Sequence, residues 1–274
     1  MKTNFGIPLE LTGYSGRIHP DFNHEAVIAN LKKGEGLFQI PGGRMLLEGR
    51  NRVGVVPLDL PDGTRLDVVV KAFRFRGPDK WKSRFFPSKA LRAWRSANSL
   101  EEGGIPTPRP IAYFQDRTGG FPKTGFFVYV MLTQVEEVRF LFRRLHGAEL
   151  RKLLSDLARF LEKAHQRGVL HRDLSDGNIL VGKSAGSDWI FFLIDTNRIR
   201  VLGKVGLMRG VKNLIRLGVP ASEQAYFLGR YLRVSRVAWV TWSWYRIHKN
   251  IYSGRIVLKK KLRLRRLAEK LRLQ

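Results

Sequence analysis

The sequence predicts an α+β protein of two lobes, the first rich in β-strands and the second mainly helical. Two patterns support this prediction: short apolar runs bounded by turn signals dominate residues 44–133, and a long amphipathic helical pattern follows at 147–168. The length, 274 residues, also exceeds that of a typical single domain. We therefore place an N-terminal extension and a β-rich lobe at 1–133, a helical lobe at 134–228, and a basic helical tail at 229–274.

The first lobe begins with three strands in a meander. RMLLEG is the first strand, VGVVPLDL the second and RLDVVVKAF the third, and PDG between the last two is a strong hairpin signal. The spacing then predicts a helix over 88–102, with Ser88 as its N-cap and Gly103-Gly104 as its stop. IPTPRPIAYF and GFFVYVMLT are predicted to add further strands.

The second lobe is organised around one polar loop. The helix at 147–168 leads into LHRDLSDGNILV, and the apolar segment WIFFLID follows after a short turn. His171, Arg172, Asp173, Leu174 and Asn178 match the catalytic pattern H-R-D-L-x-x-x-N. In that pattern the Asp accepts or orients the proton of an attacking hydroxyl, and the Asn holds a metal ion. The alternative, a solvated turn without function, fits the surrounding elements less well.

A second acidic residue, Asp195, ends the apolar run FFLID. A carboxylate in this place is costly unless it is paired or binds a cation, although it could also serve as an N-cap or turn residue. The triplet Asp195-Thr196-Asn197 stands where kinases carry D-F-G. The predicted catalytic set is therefore Asp173, Asn178 and Asp195, with Asn178 and Asp195 as the metal ligands.

The predicted contacts to a nucleotide come from the meander. Lys71 ends the third strand, which is the position of a phosphate-binding lysine, although such a side chain could also simply reach solvent. Gly49 and Gly54 flank the turn before the second strand, where backbone N–H groups could cover phosphates and Arg50 and Arg52 could assist. A plain hairpin is the alternative reading of this turn.

These motifs occur in the order of a protein-kinase-like fold, and the chain resembles the lipopolysaccharide core kinases. That family phosphorylates heptose or Kdo (3-deoxy-manno-octulosonic acid) in bacterial outer-membrane lipid. The resemblance lies in SKALRAWRSANSLEEGGIPTPRPIAYF, LHRDLSDGNILV and FFLIDTNRIR, and it extends over roughly Leu37 to Leu217. It implies ATP and Mg²⁺ as cofactors, Asp173 as the catalytic base, Asn178 and Asp195 as Mg²⁺ ligands, and Lys71 on the α- and β-phosphates.

Two departures from the kinase pattern qualify this resemblance. Ala93 stands where kinases carry the Glu that steadies the lysine, while Glu101 and Glu102 lie at the far end of that helix. Lys71 is therefore expected to be positioned by another acid, or to share its role with arginines. No A-P-E triplet follows Asp195, so the segment on which protein kinases dock peptides is missing. This absence favours a small or lipid-linked acceptor.

The charge of the chain points to a polyanionic partner. The sequence has 50 Lys and Arg against 23 Asp and Glu, a net charge of +27, and no Cys. The tail mixes Trp239, Trp242 and Trp244 with basic residues and ends in a basic amphipathic pattern. We rank binding to an anionic membrane surface first, packing of the tail on the helical lobe second, and nucleic acid last. No uncharged run reaches the ~18 residues that span a bilayer, so we expect a peripheral protein on the cytoplasmic face of the inner membrane.

The leading hypothesis is an ATP- and Mg²⁺-dependent kinase of Kdo or heptose, acting on lipid-linked core oligosaccharide or Kdo-lipid A. One alternative is an atypical Ser/Thr protein kinase of the small type without an activation segment. The other is a pseudokinase or membrane scaffold. The sequence leaves the modified hydroxyl and the oligomeric state open.

Overall fold

The computed structural model describes residues 5–49, 51–75, 86–118, 121–184, 186 and 188–272. The side chains of 117, 118, 121, 122, 260 and 262–272 lie outside this description. The chain forms two compact units. Unit 1 comprises Met1–Val135, Gly182–Gly186 and Phe192–Val201, and unit 2 comprises Glu136–Val181, Ser187–Phe191 and Leu202–Gln274. The predicted division into 1–133, 134–228 and 229–274 is based on sequence patterns rather than on compactness, and it stays a prediction.

Unit 1 is built on a seven-stranded antiparallel sheet. Its strands are β1 (Ile7–Leu11), β2 (Tyr14–Ile18), β3 (Arg44–Leu47), β4 (Asn51–Asp59), β5 (Arg65–Arg74), β6 (Pro110–Thr118) and β7 (Phe121–Val130). They are arranged in the order β1-β2-β6-β7-β5-β4-β3. The predicted meander is present as β3, β4 and β5, because each of these strands pairs with the next.

The alternation of side chains along β5 decides which face carries Lys71. Val68, Val70 and Ala72 are buried in the main core on one face of the sheet. Lys71 therefore points to the opposite face, as does Phe73, because successive side chains of a strand alternate. Phe73 belongs to a second apolar cluster on that face, which also contains Trp94 from the following helix.

That helix, α2 (Lys89–Glu102), covers the Lys71 face and follows the short α1 (Glu25–Leu31) in the chain. The hydroxyl of Ser88 caps α2 as predicted, accepting a hydrogen bond from the backbone N of Leu91 at 3.1 Å. Its buried side includes Ala90, Ala93 and Ala97, whose small side chains let the helix lie close to the sheet.

The N-terminal hairpin was assigned only to an extension by the sequence, and the structure places it in the sheet. Strand β2 pairs with β6, with Gly16 opposite Phe114. A Cβ at Gly16 would collide with the carbonyl oxygen of Tyr113, so only glycine permits this close approach. The hairpin contributes Leu9 and Ile18 to the main core.

Unit 2 is mainly helical, as predicted. Its helices are α3 (Val138–Arg144), α4 (Gly147–Gln166), α5 (Leu207–Leu214), α6 (Gln224–Leu232) and α7 (Trp239–Arg272). The shorter strands in the second half of the chain are β8 (Glu136–Glu137), β9 (Val169–His171), β10 (Ile179–Lys183), β11 (Trp189–Leu193) and β12 (Ile199–Val201). Strands β11, β10 and β8 form a three-stranded sheet in that order. Leu153, Leu154, Leu157 and Leu161 on α4 are buried, which accounts for the amphipathic pattern.

Residues 229–232 of the predicted tail belong to α6, and 239–272 form α7, which contacts α5. Tyr245 is fully buried and stacks against Trp242, whereas Trp239 is 78% exposed. Packing on the helical lobe, the second-ranked alternative, thus holds for Tyr245 and not for Trp239, and membrane binding stays a prediction. Among the residues that the structure describes, none of the helices combines the length and apolarity that crossing a bilayer requires.

Candidate active site

Lys71 and Asp195 form an ion pair within unit 1. Strand β5 presents Lys71 to the helix-covered face, and Asp195 follows β11, 124 residues further along the chain. The two side chains are 19% and 23% exposed, so neither is a freely solvated surface charge. A partly buried charge needs a partner of opposite sign, and here each residue supplies the partner of the other. The structure thus brings together two of the predicted site residues.

The backbone at Asp195 is left-handed, with φ of 55°, which is uncommon for a residue other than glycine. Asp tolerates this conformation better than most residues, and left-handed outliers cluster at functional sites. A 3₁₀ turn, Thr196–Arg198, begins directly after it. The hydroxyl of Thr196 donates a hydrogen bond to the carbonyl oxygen of Ala93 on α2 at 3.0 Å.

The predicted departure at Ala93 lies at this contact. Ala93, at the helix position where kinases carry an acid, is buried, and its carbonyl oxygen lies against the turn after Asp195. The acid that holds Lys71 comes instead from Asp195 itself. We expected another acid or arginines in this role, and the ion pair shows that the acid is Asp195.

A small pocket surrounds the Lys71–Asp195 pair. Its lining, all from unit 1, consists of Lys71, Ala93, Thr107, Pro108, Phe127, Tyr129, Ile194, Asp195, Thr196 and Asn197. Burial raises the pKa of the Tyr129 hydroxyl, and the negative charge of Asp195 adds to this effect. Within the described part of the chain, the buried Oδ1 of Asn197 has no hydrogen-bond partner. A carboxylate and an orphaned amide oxygen in one pocket are the oxygen donors that Mg²⁺ prefers.

The described residues contain no cluster of three or more His, Cys, Asp or Glu that could hold a metal ion. This finding is compatible with Mg²⁺, which keeps several waters and binds proteins through one or two carboxylates together with substrate phosphates. The carboxylate of Asp195 and the amide oxygen of Asn197, which line the same pocket, fit such a site.

The predicted catalytic loop lies in unit 2 and is fixed by internal hydrogen bonds. His171 is buried, and its Nδ1 accepts a hydrogen bond from the backbone N of Asp173 at 3.1 Å. The Nδ2 of Asn178 donates to the carbonyl oxygen of Asp173 at 2.7 Å and to the hydroxyl of Ser175 at 3.2 Å. Because the nitrogen of Asn178 holds the loop, its oxygen is left available as a ligand.

The carboxylate of Asp173 contacts the guanidinium of Arg216. Asp173 is 40% exposed and Arg216 is 34% exposed, so the carboxylate remains accessible from solvent. Arg216 lies just after α5 and was not singled out from the sequence. No motif marks it, because its contact with Asp173 arises only when α5 packs against β9.

Asn213 on α5 supports the loop from behind. Its Nδ2 donates to the carbonyl oxygen of His171 at 2.8 Å, and its Oδ1 accepts from Nε2 of His165 at 3.1 Å. With Nε2 as the donor, Nδ1 of a neutral His165 accepts the hydroxyl hydrogen of Tyr231 at 2.7 Å. Burial lowers the pKa of His165, which favours this neutral form. The network joins α4, α5 and α6 to the catalytic loop.

Helix α7 also supports the loop region. The Nζ of Lys249 donates to the carbonyl oxygens of Leu217 at 2.7 Å and Ile215 at 3.2 Å. In the same region the backbone N of Gly218 donates to Asp176 at 2.6 Å. Burial raises the pKa of Asp176 and lowers that of Lys249, while the charge of each opposes the shift of the other. These opposite charges tie the tail helix to the segment that carries Arg216.

The remaining predicted residues are in unit 1. Gly49 is exposed beside the β3–β4 turn, and Arg50 lies outside the described residues. Gly54 is within β4, where a Cβ would lie 2.9 Å from the Phe38 ring. Packing alone is therefore sufficient to account for a glycine at this position. Their contacts with phosphates stay predictions. So does the joint metal site of Asn178 and Asp195, because these two residues belong to different units.

Unit 1 is rich in β-strands and carries the Lys71–Asp195 pair, and unit 2 is mainly helical and carries the loop of Asp173 and Asn178. Together these features define the protein-kinase-like class. The model of the lipopolysaccharide kinase (Kdo/WaaP) family matches residues 78–249. Because this match extends over more than half of the chain, the protein belongs to the lipopolysaccharide kinase (Kdo/WaaP) family. The family predicted from the sequence is confirmed. The match contains Asp173, Asn178 and Asp195, and it begins after Lys71.

A solved structure of WaaP in complex with acyl carrier protein shares the fold. It superposes with a TM-score of 0.57 at 20% identity, covering 79% of this chain and 90% of that one. The predicted α+β, protein-kinase-like fold is thereby confirmed.

Curated relatives include the serine/threonine-protein kinase PknJ of Mycobacterium bovis and of Mycobacterium tuberculosis. Each is 37% identical over 71 residues, which is 26% of this chain. The match spans only 12% of the length of those proteins. The likeness is therefore local.

We expect Lys71 and Asp195 to stabilise the fold as a pair. In a double-mutant cycle with Lys71→Met and Asp195→Asn, the coupling in the free energy of unfolding should be about 1 kcal/mol or more, because both groups are mostly buried. The exposed pair Lys152 and Asp188 serves as the control, with an expected coupling of ~0.5 kcal/mol or less. Additive effects of the two substitutions in unit 1 would contradict the pairing.

Burial of His165 should make stability depend on pH. The unfolded chain takes up a proton near the ordinary pKa of 6.5, whereas the folded chain resists protonation. Stability is therefore fully present above pH 6.5 and falls as the pH decreases, with a slope of up to about 1.4 kcal/mol per pH unit. Urea unfolding at several pH values should show that His165→Gln flattens this slope between pH 6.5 and 5.5. His24→Gln, at an exposed site, should leave it unchanged, and equal slopes in all three proteins would refute the assignment.

Proposed function

We propose that the protein transfers a phosphoryl group from ATP, with Mg²⁺, to a sugar hydroxyl of the lipopolysaccharide core. The acceptor sugar is Kdo or heptose on a lipid-linked core oligosaccharide or on Kdo-lipid A. One observation carries this proposal: the chain belongs to the lipopolysaccharide kinase family and holds Asp173 and Asn178 in an ordered loop. The absence of an A-P-E triplet after Asp195 adds support for an acceptor other than a peptide.

In this proposal each site residue has one task. Asp173, which is accessible to solvent, orients the sugar hydroxyl and accepts its proton. Lys71 binds the α- and β-phosphates of ATP. Asn178 and Asp195 are the residues that would hold Mg²⁺, which would supply positive charge to the phosphoryl group during its transfer. Arg216, which contacts Asp173, supplies a positive charge beside it.

A protein acceptor is the second candidate, and the local likeness to PknJ favours it. The two candidates share the chemistry of Asp173 and differ only in the acceptor. The family match extends over far more of the chain than the PknJ match does, so we rank the lipid-linked sugar first.

We expect Asp173→Asn to slow transfer strongly without impairing nucleotide binding. Loss of a general base lowers kcat by about 10²–10⁴-fold, while the affinity for ATP does not depend on this carboxylate. Transfer of labelled phosphate to Kdo-lipid A and binding of a fluorescent ATP analogue measure the two quantities separately. Asp188→Asn, which removes an exposed carboxylate of the same unit, is the control and should match the wild type. If Asp173→Asn transfers phosphate at the wild-type rate to every acceptor, the proposed function is wrong.

We also propose that α7 attaches the protein to the cytoplasmic face of the inner membrane. Trp239, Val240 and Ile247 are exposed on a helix whose sequence is rich in Lys and Arg. Exposed apolar side chains among cations are typical of helices that lie in the interface of an anionic bilayer. A peripheral location would bring the protein to a lipid-linked acceptor.

The membrane proposal predicts selective binding to anionic vesicles. In flotation assays the protein should bind phosphatidylglycerol vesicles and not phosphatidylcholine vesicles, and binding should weaken with salt. The double variant W239S/V240S should bind ~10-fold more weakly, because it removes two apolar side chains from the interface. Phe140→Ser removes an exposed apolar side chain from α3 and should bind like the wild type. Equal binding of all three proteins would contradict the proposal.

A further inference from the structure

A basic groove of about 470 Å³ lies in unit 2 between α5 and α7. Its lining includes four side chains that are always positively charged: Arg209, Lys212, Arg216 and Arg255. Neither Asp nor Glu is among the described residues that line it. The groove therefore combines space for a ligand group with positive charge alone.

Most of this charge has no acidic partner within the part of the chain that the structure describes. Arg209, Lys212 and Arg255 make no ion pair with any residue that the structure describes, and all three are exposed. Arginines elsewhere in unit 2, such as Arg151 and Arg233, are paired with glutamates. Several like charges around one groove repel one another, and binding of an anion would relieve that repulsion.

The groove reaches the catalytic loop through Arg216. This arginine lines the groove, and its guanidinium also contacts the carboxylate of Asp173. A ligand bound in the groove would therefore lie next to the residue that orients the acceptor hydroxyl.

The α7 wall of the groove is fixed in place. Lys249, one residue from His248 of the lining, donates two hydrogen bonds to the segment after α5, and Tyr245 is fully buried. Tyr252 lines the groove beneath the guanidinium of Arg216, which lies 5.3 Å from the centre of its ring. Stacking of this kind orients a guanidinium without neutralising it.

We propose that this groove binds an anionic group, a phosphate monoester or a carboxylate, that the acceptor already carries near the hydroxyl to be phosphorylated. This inference rests on the proposed function, and it assigns the part of the chain that recognises the negative charge of the acceptor. Arginine and lysine recognise both groups through charge-assisted hydrogen bonds. Leu170, Ile215 and Ile251 in the same lining offer apolar contact to the rest of the ligand.

The first test measures anion binding without catalysis. Inorganic phosphate is titrated into the full chain in the absence of nucleotide, with isothermal titration calorimetry as the readout. The double variant R209Q/K212Q should bind phosphate about 10-fold more weakly, because two charged donors are lost. The control K163Q/R167Q removes the same two charges from an exposed part of unit 2 outside the groove and should bind like the wild type. The variant R209K/K212R keeps the charge and should retain binding, which separates loss of charge from misfolding.

The second test measures transfer to Kdo-lipid A, to the same lipid without its phosphates, and to its carboxyl methyl ester. R209Q/K212Q should raise KM for the intact lipid by about 10-fold and leave KM for ATP unchanged. The modified lipid with the raised KM identifies whether the groove binds the phosphate or the carboxylate.

Two outcomes would contradict anion binding by the groove and leave the proposed function intact. One is equal KM values for all three lipids, and the other is the same KM for R209Q/K212Q and K163Q/R167Q. If no lipid is phosphorylated by any variant, the proposed function fails instead, and the phosphate titration alone decides whether the groove is an anion site.

Discussion

The ion pair between Lys71 and Asp195 is the interaction on which the arrangement of unit 1 around the candidate site depends. A lysine on a central strand, beneath a helix, needs a carboxylate, and the chain supplies one from a turn far along the sequence. The hydrogen bond from the Thr196 hydroxyl to the Ala93 carbonyl oxygen holds that turn against α2. Lys71, Asp195 and Ala93 are thus linked by one ion pair and one hydrogen bond. An acid on the helix is unnecessary here, so Ala93 does not by itself indicate an inactive kinase.

The second half of the site is fixed in a different way. The loop around Asp173 is held by side-chain amides in addition to the contact between Asp173 and Arg216: Asn178 closes it from within, and Asn213 supports it from behind. Helix α7 adds Lys249, which holds the segment after α5. The tail therefore contributes to the support of the catalytic loop, in addition to the membrane role that we propose for it. The same helix forms one wall of the basic groove.

The sequence predicted the meander, helix α2 and helix α4, because these depend on local periodicity, caps and turn residues. It predicted the fold class and the family through the order and resemblance of motifs such as LHRDLSDGNILV. It could not predict the N-terminal hairpin's place in the sheet, which is set by the close approach of Gly16 to β6. Arg216 and Asn213 were missed for a related reason. They follow no motif, and their contacts with the loop exist only after α5 has packed against β9. The sequence likewise could not predict that Asp195 pairs with Lys71, since two residues separated by 124 positions share no local pattern.

The net charge of +27 fits an acidic partner, and the absent A-P-E triplet adds support to our proposal of an acceptor other than a peptide. The most direct test is mass spectrometry of the acceptor after incubation with the full chain, ATP and Mg²⁺. Kdo-lipid A, its heptosylated form and a general protein substrate are offered together. The account predicts that one of the lipids gains a single phosphate on a core sugar and that the protein substrate does not change. Phosphate found on the protein substrate, with both lipids unmodified, would contradict it.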